Sequence, residues 1–274
     1  MPPSSQLFYV LAAAVAGLLI GSFLNVCIYR IPRDLSVVRP RSFCTQCESP
    51  IAWYDNVPLL SFLLLRGRCR DCSNRISFRY PLVELLAAVA FALVMHQYGF
   101  TLAAIKWIIF ESLMIALFWT DLDARILPDE FTLGGAVVGA AFSPFVFVPG
   151  VLGQLILADH RRVWQSLFNM GTGAALMSGP IWLTGAVYAR VRRREGLGLG
   201  DVKLLIMLGA FLGVDQGILA LLMGAVGGSI ISVVYILVTR KDPKTYELPF
   251  GSFLCAAAAF VPLLSQMGEI IAGR

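Results

Sequence analysis

Leu7-Phe-Tyr-Val-Leu-Ala-Ala-Ala-Val-Ala-Gly-Leu-Leu-Ile-Gly-Ser-Phe-Leu-Asn-Val-Cys-Ile28 carries no charged side chain. At about 1.5 Å of rise per residue, a helix of this length crosses the ~30 Å hydrocarbon core of a bilayer. It runs on into Tyr29 and Arg30 without a cleavage signature, which predicts a retained span rather than a removed signal peptide. Composition points the same way. With 58% hydrophobic and 14% charged residues, the 274-residue chain is too apolar to cover a soluble globule with a polar surface. Its mean hydropathy of +0.76 agrees.

Working outward, further apolar runs cover 81–98, 102–120, 131–148, 166–189, 202–214, 217–239 and 250–271. The expectation is an all-α polytopic membrane protein of about eight transmembrane helices. The run 202–214 is short, so it is read as tilted, partly re-entrant or extended by the glycines before it. Lys and Arg set the orientation, because positive loops stay in the cytoplasm. Nine arginines lie between Arg30 and Arg79; Arg125, the Arg190/Arg192/Arg193/Arg194 cluster with Lys203, and Arg240/Lys241/Lys244 fall in three more loops on the same side. Lys106, Arg161, Arg162 and Arg274 remain for the other face. Both termini are therefore expected outside, with the acidic motifs described below at the cytoplasmic edge. The net charge of +5 reads as topology and contact with anionic lipid, not as nucleic-acid binding. The resulting division is a first span over 1–29, a cytoplasmic loop over 30–80 and a membrane core over 81–274.

That loop contains Cys44-Thr-Gln-Cys47 and Cys69-Arg-Asp-Cys72, two C-x2-C pairs separated by 21 residues. Two tight turns at such spacing can present four thiolates tetrahedrally to one metal, and structural zinc is the expected ion. Four thiolates leave no open position, so the site would fold the loop rather than activate water. A disulfide framework is the weaker reading for reduced cytoplasmic thiols; an iron-sulfur or redox role, or cysteines that bind nothing, would also be compatible with the spacing. Cys27 and Cys255 sit inside apolar runs and read as packing residues.

Two acidic motifs end one apolar run and begin another. The first is Asp121-Leu-Asp123-Ala-Arg-Ile-Leu-Pro128-Asp129, where Pro128 predicts a turn between spans. The second is Gly198-Leu-Gly200-Asp201, preceded by Gly196. Glycine permits close backbone approach, so this loop could bring Asp201 against Asp121 and leave room for a substrate strand. Two carboxylates that meet share one proton. The ionised member then takes a proton from water and the protonated one polarises a scissile carbonyl, which is aspartic-protease chemistry. The plainer reading is two unrelated helix-end carboxylates, with Asp201 favoured by its helix dipole. Asp123 and Asp129 read equally as turn and capping residues. Lys203 is either a partner of the pair, a ligand for a substrate carboxylate, or a lysine snorkelling to headgroups.

Other designs lack their parts. His96 and His160 are the only histidines, both assigned to the far face, and neither H-E-x-x-H nor G-x-S-x-G occurs. Gly196-Leu-Gly-Leu-Gly200 follows no predicted strand, so it fails as a nucleotide loop. An ion-coupled transporter would place acids near mid-membrane and show an internal repeat; the key acids instead bracket one interface. A non-catalytic assembly factor that docks through the zinc loop would leave Asp121 and Asp201 idle.

In this order, Gly21-Ser-Phe-Leu-Asn-Val-Cys-Ile-Tyr-Arg-Ile-Pro32, the paired C-x2-C motifs, Ile76-Ser-Phe-Arg-Tyr-Pro-Leu-Val-Glu84, the segment 121–129 and Gly198-x-Gly-Asp-Val-Lys-Leu-Leu205 resemble the type IV prepilin peptidases, a branch of the GxGD membrane aspartic proteases. The resemblance covers nearly the whole chain. It implies that Asp121 and Asp201 are the catalytic aspartates, supported by Gly198 and Gly200. The implied substrates are prepilins or pseudopilins of pilus or type II secretion systems, cut at the inner membrane's cytoplasmic side after a glycine that ends a short basic leader. It also implies N-methylation of the new terminus from S-adenosylmethionine, an activity associated with the cysteine-bearing loop, with Gly67, Arg79 and Glu84 as candidate transferase positions. No Rossmann-like segment is present to hold that cofactor. The chain departs from the compact family pattern at 150–165, a polar stretch expected as an outward-facing loop.

Overall fold

The computed structural model describes residues 3–192, 198–240 and 249–271. Arg193, Arg194, Gly196, Lys241, Lys244 and Arg274 of the charge and glycine readings lie outside them. Among the described residues nine α-helices carry the architecture: α1 Pro3–Arg30, α2 Leu60–Leu64, α3 Arg79–Tyr98, α4 Leu102–Ala124, α5 Asp129–Phe142, α6 Val151–Ile156, α7 Arg162–Arg192, α8 Leu199–Thr239 and α9 Phe250–Ile271. Four stretches, Gln6–Arg33, Arg79–Tyr98, Leu102–Ala124 and Leu199–Thr239, are long and apolar enough to cross a membrane. The all-helical, multi-pass membrane character expected from composition therefore holds. The chain divides into two compact units, Met1–Ala116 and Leu117–Arg274, with the boundary inside α4.

In the first unit α1 packs against α3 through small residues. A Cβ at Gly17 would lie 2.6 Å from the Ala87 carbonyl oxygen, and one at Gly21 would lie 2.7 Å from Glu84 Cα. Between apolar helices it is such close approach that drives association, because lipid offers no hydrophobic gain. Asn25 ties the two helices further, its Nδ2 donating to the Tyr80 carbonyl at 3.0 Å. The loop is then folded back onto α1 by the buried Arg30, whose guanidinium donates to the carbonyls of Ser36 at 2.9 Å and Arg41 at 3.2 Å.

In the second unit α8 is the central element, packed against α5, α7 and α9. Leu204, Leu205, Met207, Leu208, Phe211 and Leu212 are fully buried along it. Gly209 meets the Gly173–Ala174 backbone of α7 directly, and a Cβ at Gly139 of α5 would lie 2.8 Å from the Phe211 ring. The helical path of α8 breaks at Gly213, with φ 75° and ψ −171°, a conformation open to glycine. The sequence runs 202–214 and 217–239 thus occupy the two arms of one continuous segment.

The run 131–148 behaves differently from its hydropathy: α5 stops at Phe142. Pro144 and Pro149 cannot continue a helix, and the freed backbone is bound by side chains of α7. The Val148 N–H donates to Ser166 Oγ at 2.9 Å, Ser166 Oγ donates to the Ser143 carbonyl at 2.6 Å, and Asn169 Nδ2 donates to the Val148 carbonyl at 3.0 Å. The polar stretch 150–165 is partly helical as α6, whose first N–H, that of Val151, donates to Asp215 Oδ2 at 2.7 Å. Helix α4 also runs further than its apolar core, through Ala124, so Asp121 and Asp123 occupy its last turn rather than the connection. The turn begins at Arg125, in the left-handed region with φ 58°.

Candidate active site and cysteine cluster

The loop of the first unit contains two copies of one knuckle, twenty-five positions apart. In the first, the Cys44 N–H donates to the Ser49 carbonyl, Glu48 N–H to the Cys44 carbonyl and Ile51 N–H to the Ser42 carbonyl. In the second, Cys69 N–H donates to the Asn74 carbonyl, Ser73 N–H to the Cys69 carbonyl and Ile76 N–H to the Gly67 carbonyl. Glu48 and Ser73, at equivalent positions, both take positive φ, 58° and 57°. Bridges Phe43–Pro50 and Arg68–Arg75 close the two turns.

The knuckles bring all four predicted sulfurs together: the Sγ atoms of Cys44, Cys47, Cys69 and Cys72 lie within 4.8 Å of one another. Cys44 and Cys72 stand at 3.9 Å. Hydrogen bonds from the Ser49 hydroxyl and backbone N–H pull the Cys47 thiol down to about 6. Backbone N–H groups of Cys72 and Asp71 lower Cys69 as well. Donors aimed at sulfur favour thiolate, the form that binds metal, at Cys47 and Cys69, while at Cys72 the Asn74 backbone hydrogen bond is outweighed by desolvation and the neighbouring sulfurs, which push the thiol up. Nearby, Arg70 and Asp55 form a two-pronged ion pair at 2.7 and 2.6 Å, and the hydrogen bond from Arg70 holds the Asp55 carboxyl below its usual range.

Gly67, Arg79 and Glu84 are each engaged in loop architecture. Gly67 adopts φ 67° with the Phe62 ring against its Cα. Arg79 opens α3, its guanidinium 5.2 Å from the Tyr80 ring centroid. Glu84 is buried and its Oε2 accepts the Leu59 N–H at 2.8 Å, fixing a residue that itself sits at φ 59°.

The second unit assembles the aspartates. Asp121, 7% exposed, projects from the last turn of α4, and Asp201 from the first turn of α8. The helix ends that carry them pack together, and a Cβ built on Gly251 would lie 3.1 Å from Asp121 Cγ. Leu127, in the turn after α4, is the wedge that sets this convergence: Cβ atoms built on Gly200 and Gly251 would each lie 3.2 Å from its side chain. Gly200 thus supplies close approach, while a side chain at Gly198 would meet nothing within 4 Å. Asp129 and Lys203 pair with each other, Nζ to the two carboxylate oxygens at 2.7 and 2.8 Å. Asp123 is exposed in the last turn of α4.

Two features escaped the sequence reading. Ser252, in the first turn of α9, directs both its backbone N–H and its hydroxyl at Asp121 Oδ2, at 2.6 and 2.7 Å. The available signal was Pro249-Phe-Gly-Ser252 ahead of an apolar run, a helix start. Glu111 was also passed over: it lies mid-way along α4, 3% exposed, with Oε1 lacking a partner. A lone acid inside an apolar run was its signal.

The family described as Bacterial Peptidase A24 N-terminal domain matches residues 15–98, and the Type IV leader peptidase family matches residues 107–233. Among curated relatives, the prepilin leader peptidase/N-methyltransferase of Myxococcus xanthus is 40% identical over 232 residues, which is 84% of this chain and 64% of that protein. Proteins of the same name from Pseudomonas putida and Neisseria gonorrhoeae are 34% and 35% identical, with the matches covering 91% and 83% of this chain and 88% and 82% of theirs. No solved structure matches the chain. With both halves matched in order and relatives covered over most of their length, this chain belongs to the type IV leader peptidase family.

Proposed function

We propose that this protein is a membrane aspartic endopeptidase and N-methyltransferase that removes the basic leader of type IV prepilins or pseudopilins and methylates the new terminus. The observation that carries the peptidase half is the packing of two helix ends around Leu127, with Gly200 beside Asp201 and Gly251 against the Asp121 carboxyl. With one proton between them, the ionised carboxylate takes a proton from water as its oxygen adds to the scissile carbonyl carbon. The other carboxyl gives its proton to the carbonyl oxygen, producing a neutral gem-diol. On collapse the C–N bond breaks, the amine takes the proton first drawn from water, and the second carboxyl recovers its own from the diol. No acyl-enzyme forms.

In this reading about eight spans place both helix ends at the cytoplasmic edge of a bacterial inner membrane, where the basic leader meets the substrate's hydrophobic helix. Residues 81–274 form the peptidase core and 30–80 the methyltransferase-associated loop. The cysteine cluster suits zinc: a tetrahedral ion with bonds of about 2.3 Å requires sulfurs about 3.8 Å apart, and Cys44 and Cys72 stand at 3.9 Å. Held by Cys44, Cys47, Cys69 and Cys72, it would lock the two knuckles together and offset half of the charge of their thiolates. For the methyl donor, the first unit offers a cavity of about 330 Å³ whose lining includes Ser22, Arg30, Arg41, Ser42 and Asn56. The rest of its lining is apolar, from Leu19, Phe23, Val26, Val37, Val38, Pro40 and Pro58; S-adenosylmethionine would supply an electrophilic methyl group to the free amine.

The test is co-expression with a prepilin and mass spectrometry of the product. The native chain should yield a cleaved, singly methylated product. Asp121→Ala and Asp201→Ala, at matched expression, should each abolish cleavage. Normal processing by either variant would remove that residue from the mechanism.

A further inference from the structure

We infer that Ser252 is a positioning residue of the peptidase pair, which selects Asp121 as the ionised, water-activating member and leaves the shared proton on Asp201. The inference rests on the peptidase reading and adds an asymmetry to it.

Two donors from one residue reach a single oxygen, Asp121 Oδ2, at 2.6 Å from the backbone N–H and 2.7 Å from the hydroxyl. Hydrogen bonds given to a carboxylate favour its charged form, and each is stronger for the charge. The hydroxyl has one proton and two acceptors in reach; the carboxylate is the nearer, with the Phe118 carbonyl at 3.0 Å. Ser252 is the third residue of α9, so its N–H is one of the unpaired amides at the helix start and brings the positive end of the helix with it. Gly251 makes this approach feasible: a Cβ there would lie 3.1 Å from Asp121 Cγ.

Asp201 also lies at a helix start, in the first turn of α8, but it lacks the two hydrogen bonds that Asp121 receives. Its backbone N–H donates to the Gly198 carbonyl at 3.2 Å, and among the described residues no donor reaches its carboxylate. The neighbouring titratable groups do not reverse this difference. Cys255 on α9 is buried, and the Lys203 ammonium is held by Asp129 of α5. Of two carboxyls sharing a proton, the one with two donors releases it and the one with none keeps it. Asp121 is therefore the base toward water and Asp201 the acid toward the carbonyl oxygen.

Cleavage of a purified prepilin by detergent-solubilised full-length enzyme, measured over a pH series for the native chain, Ser252→Ala and Ser252→Thr, decides the matter. Ser252→Ala loses the hydroxyl donor but keeps the amide. Its kcat should fall about ten- to a hundredfold, the size of one lost hydrogen bond to a charged group, with KM held within about twofold. Because the ionised form of Asp121 loses support, the acidic limb of the kcat/KM profile should move to higher pH, and Ser252→Thr, which restores a hydroxyl, should move it back. An acidic limb that stays in place in Ser252→Ala overturns the inference, whether or not kcat falls, because a purely structural role lowers activity without moving that limb. Thermal unfolding of both variants separates misfolding from this outcome. If the native chain shows no cleavage that Asp121→Ala removes, it is the peptidase reading that has failed.

Discussion

The cysteine cluster draws its four sulfurs from 44–72, folded as two copies of one knuckle, whereas the aspartate site joins side chains as far as 131 positions apart. In the first, each turn is closed by hydrogen bonds within its own ten residues. In the second, Asp121, Asp201 and Ser252 come from three helices, and their meeting depends on how α8 and α9 pack and on the Leu127 wedge. One site is written locally and the other is a product of tertiary packing. Damage to packing should therefore reach the aspartates and spare the cysteines, while damage to the metal should do the reverse.

The largest effect that can break this contrast is loss of a sulfur. Cys69→Ser should lower metal affinity by at least about a hundredfold, beyond what outer-shell changes cause, leaving little zinc on purified protein by elemental analysis. Product methylation should disappear and prepilin cleavage should persist. Cleavage that falls in step with the metal would show that the two sites are one cooperative structure. A moderate effect should follow Gly209→Ala. The added methyl meets the Gly173–Ala174 backbone, which has no flexible end to yield, and overpacking of this kind costs about 1–3 kcal/mol. Thermal unfolding and cleavage should both register the change with zinc content unaltered. The smallest effect belongs to the exposed Asp129–Lys203 pair. Asp129→Asn should cost no more than about 1 kcal/mol, and Lys203→Ala should lower turnover by a similar few-fold factor. If the lysine acts only through Asp129, the double variant should be no worse than either single one. An additive double variant would give Lys203 a separate contact with substrate.

Legibility in the sequence followed the same division. The knuckles could be read because spacing alone determines which sulfurs face one point. Pro128 marked the connection correctly, since it serves as the residue before α5 with φ −60° and ψ 142°. Helix α5 ends at Phe142, short of the apolar run 131–148, because hydropathy counts Pro144 as an ordinary member of that run while the backbone cannot stay helical through it. That stretch is instead held by Ser166 and Asn169 of α7, and the start of α6 by Asp215 of α8. Lys106, counted for the outer face, is fully buried near the start of α4 with its ammonium 4.6 Å from the Trp107 ring, a contact that charge counting does not foresee.

By itself the sequence determined a helical membrane chain, four cysteines spaced to face one point, and the two aspartates as the acids worth pairing. Those properties reside in apolar length, in residue spacing and in the cost of placing carboxylates beside hydrocarbon, all of which are local. Only the tertiary structure decided that the helix ends carrying Asp121 and Asp201 pack around Leu127, that Lys203 pairs with Asp129, and that Ser252 donates twice to Asp121. Each of those facts is a contact across many intervening residues, and a hydrogen bond depends on tenths of an ångström that no local pattern specifies.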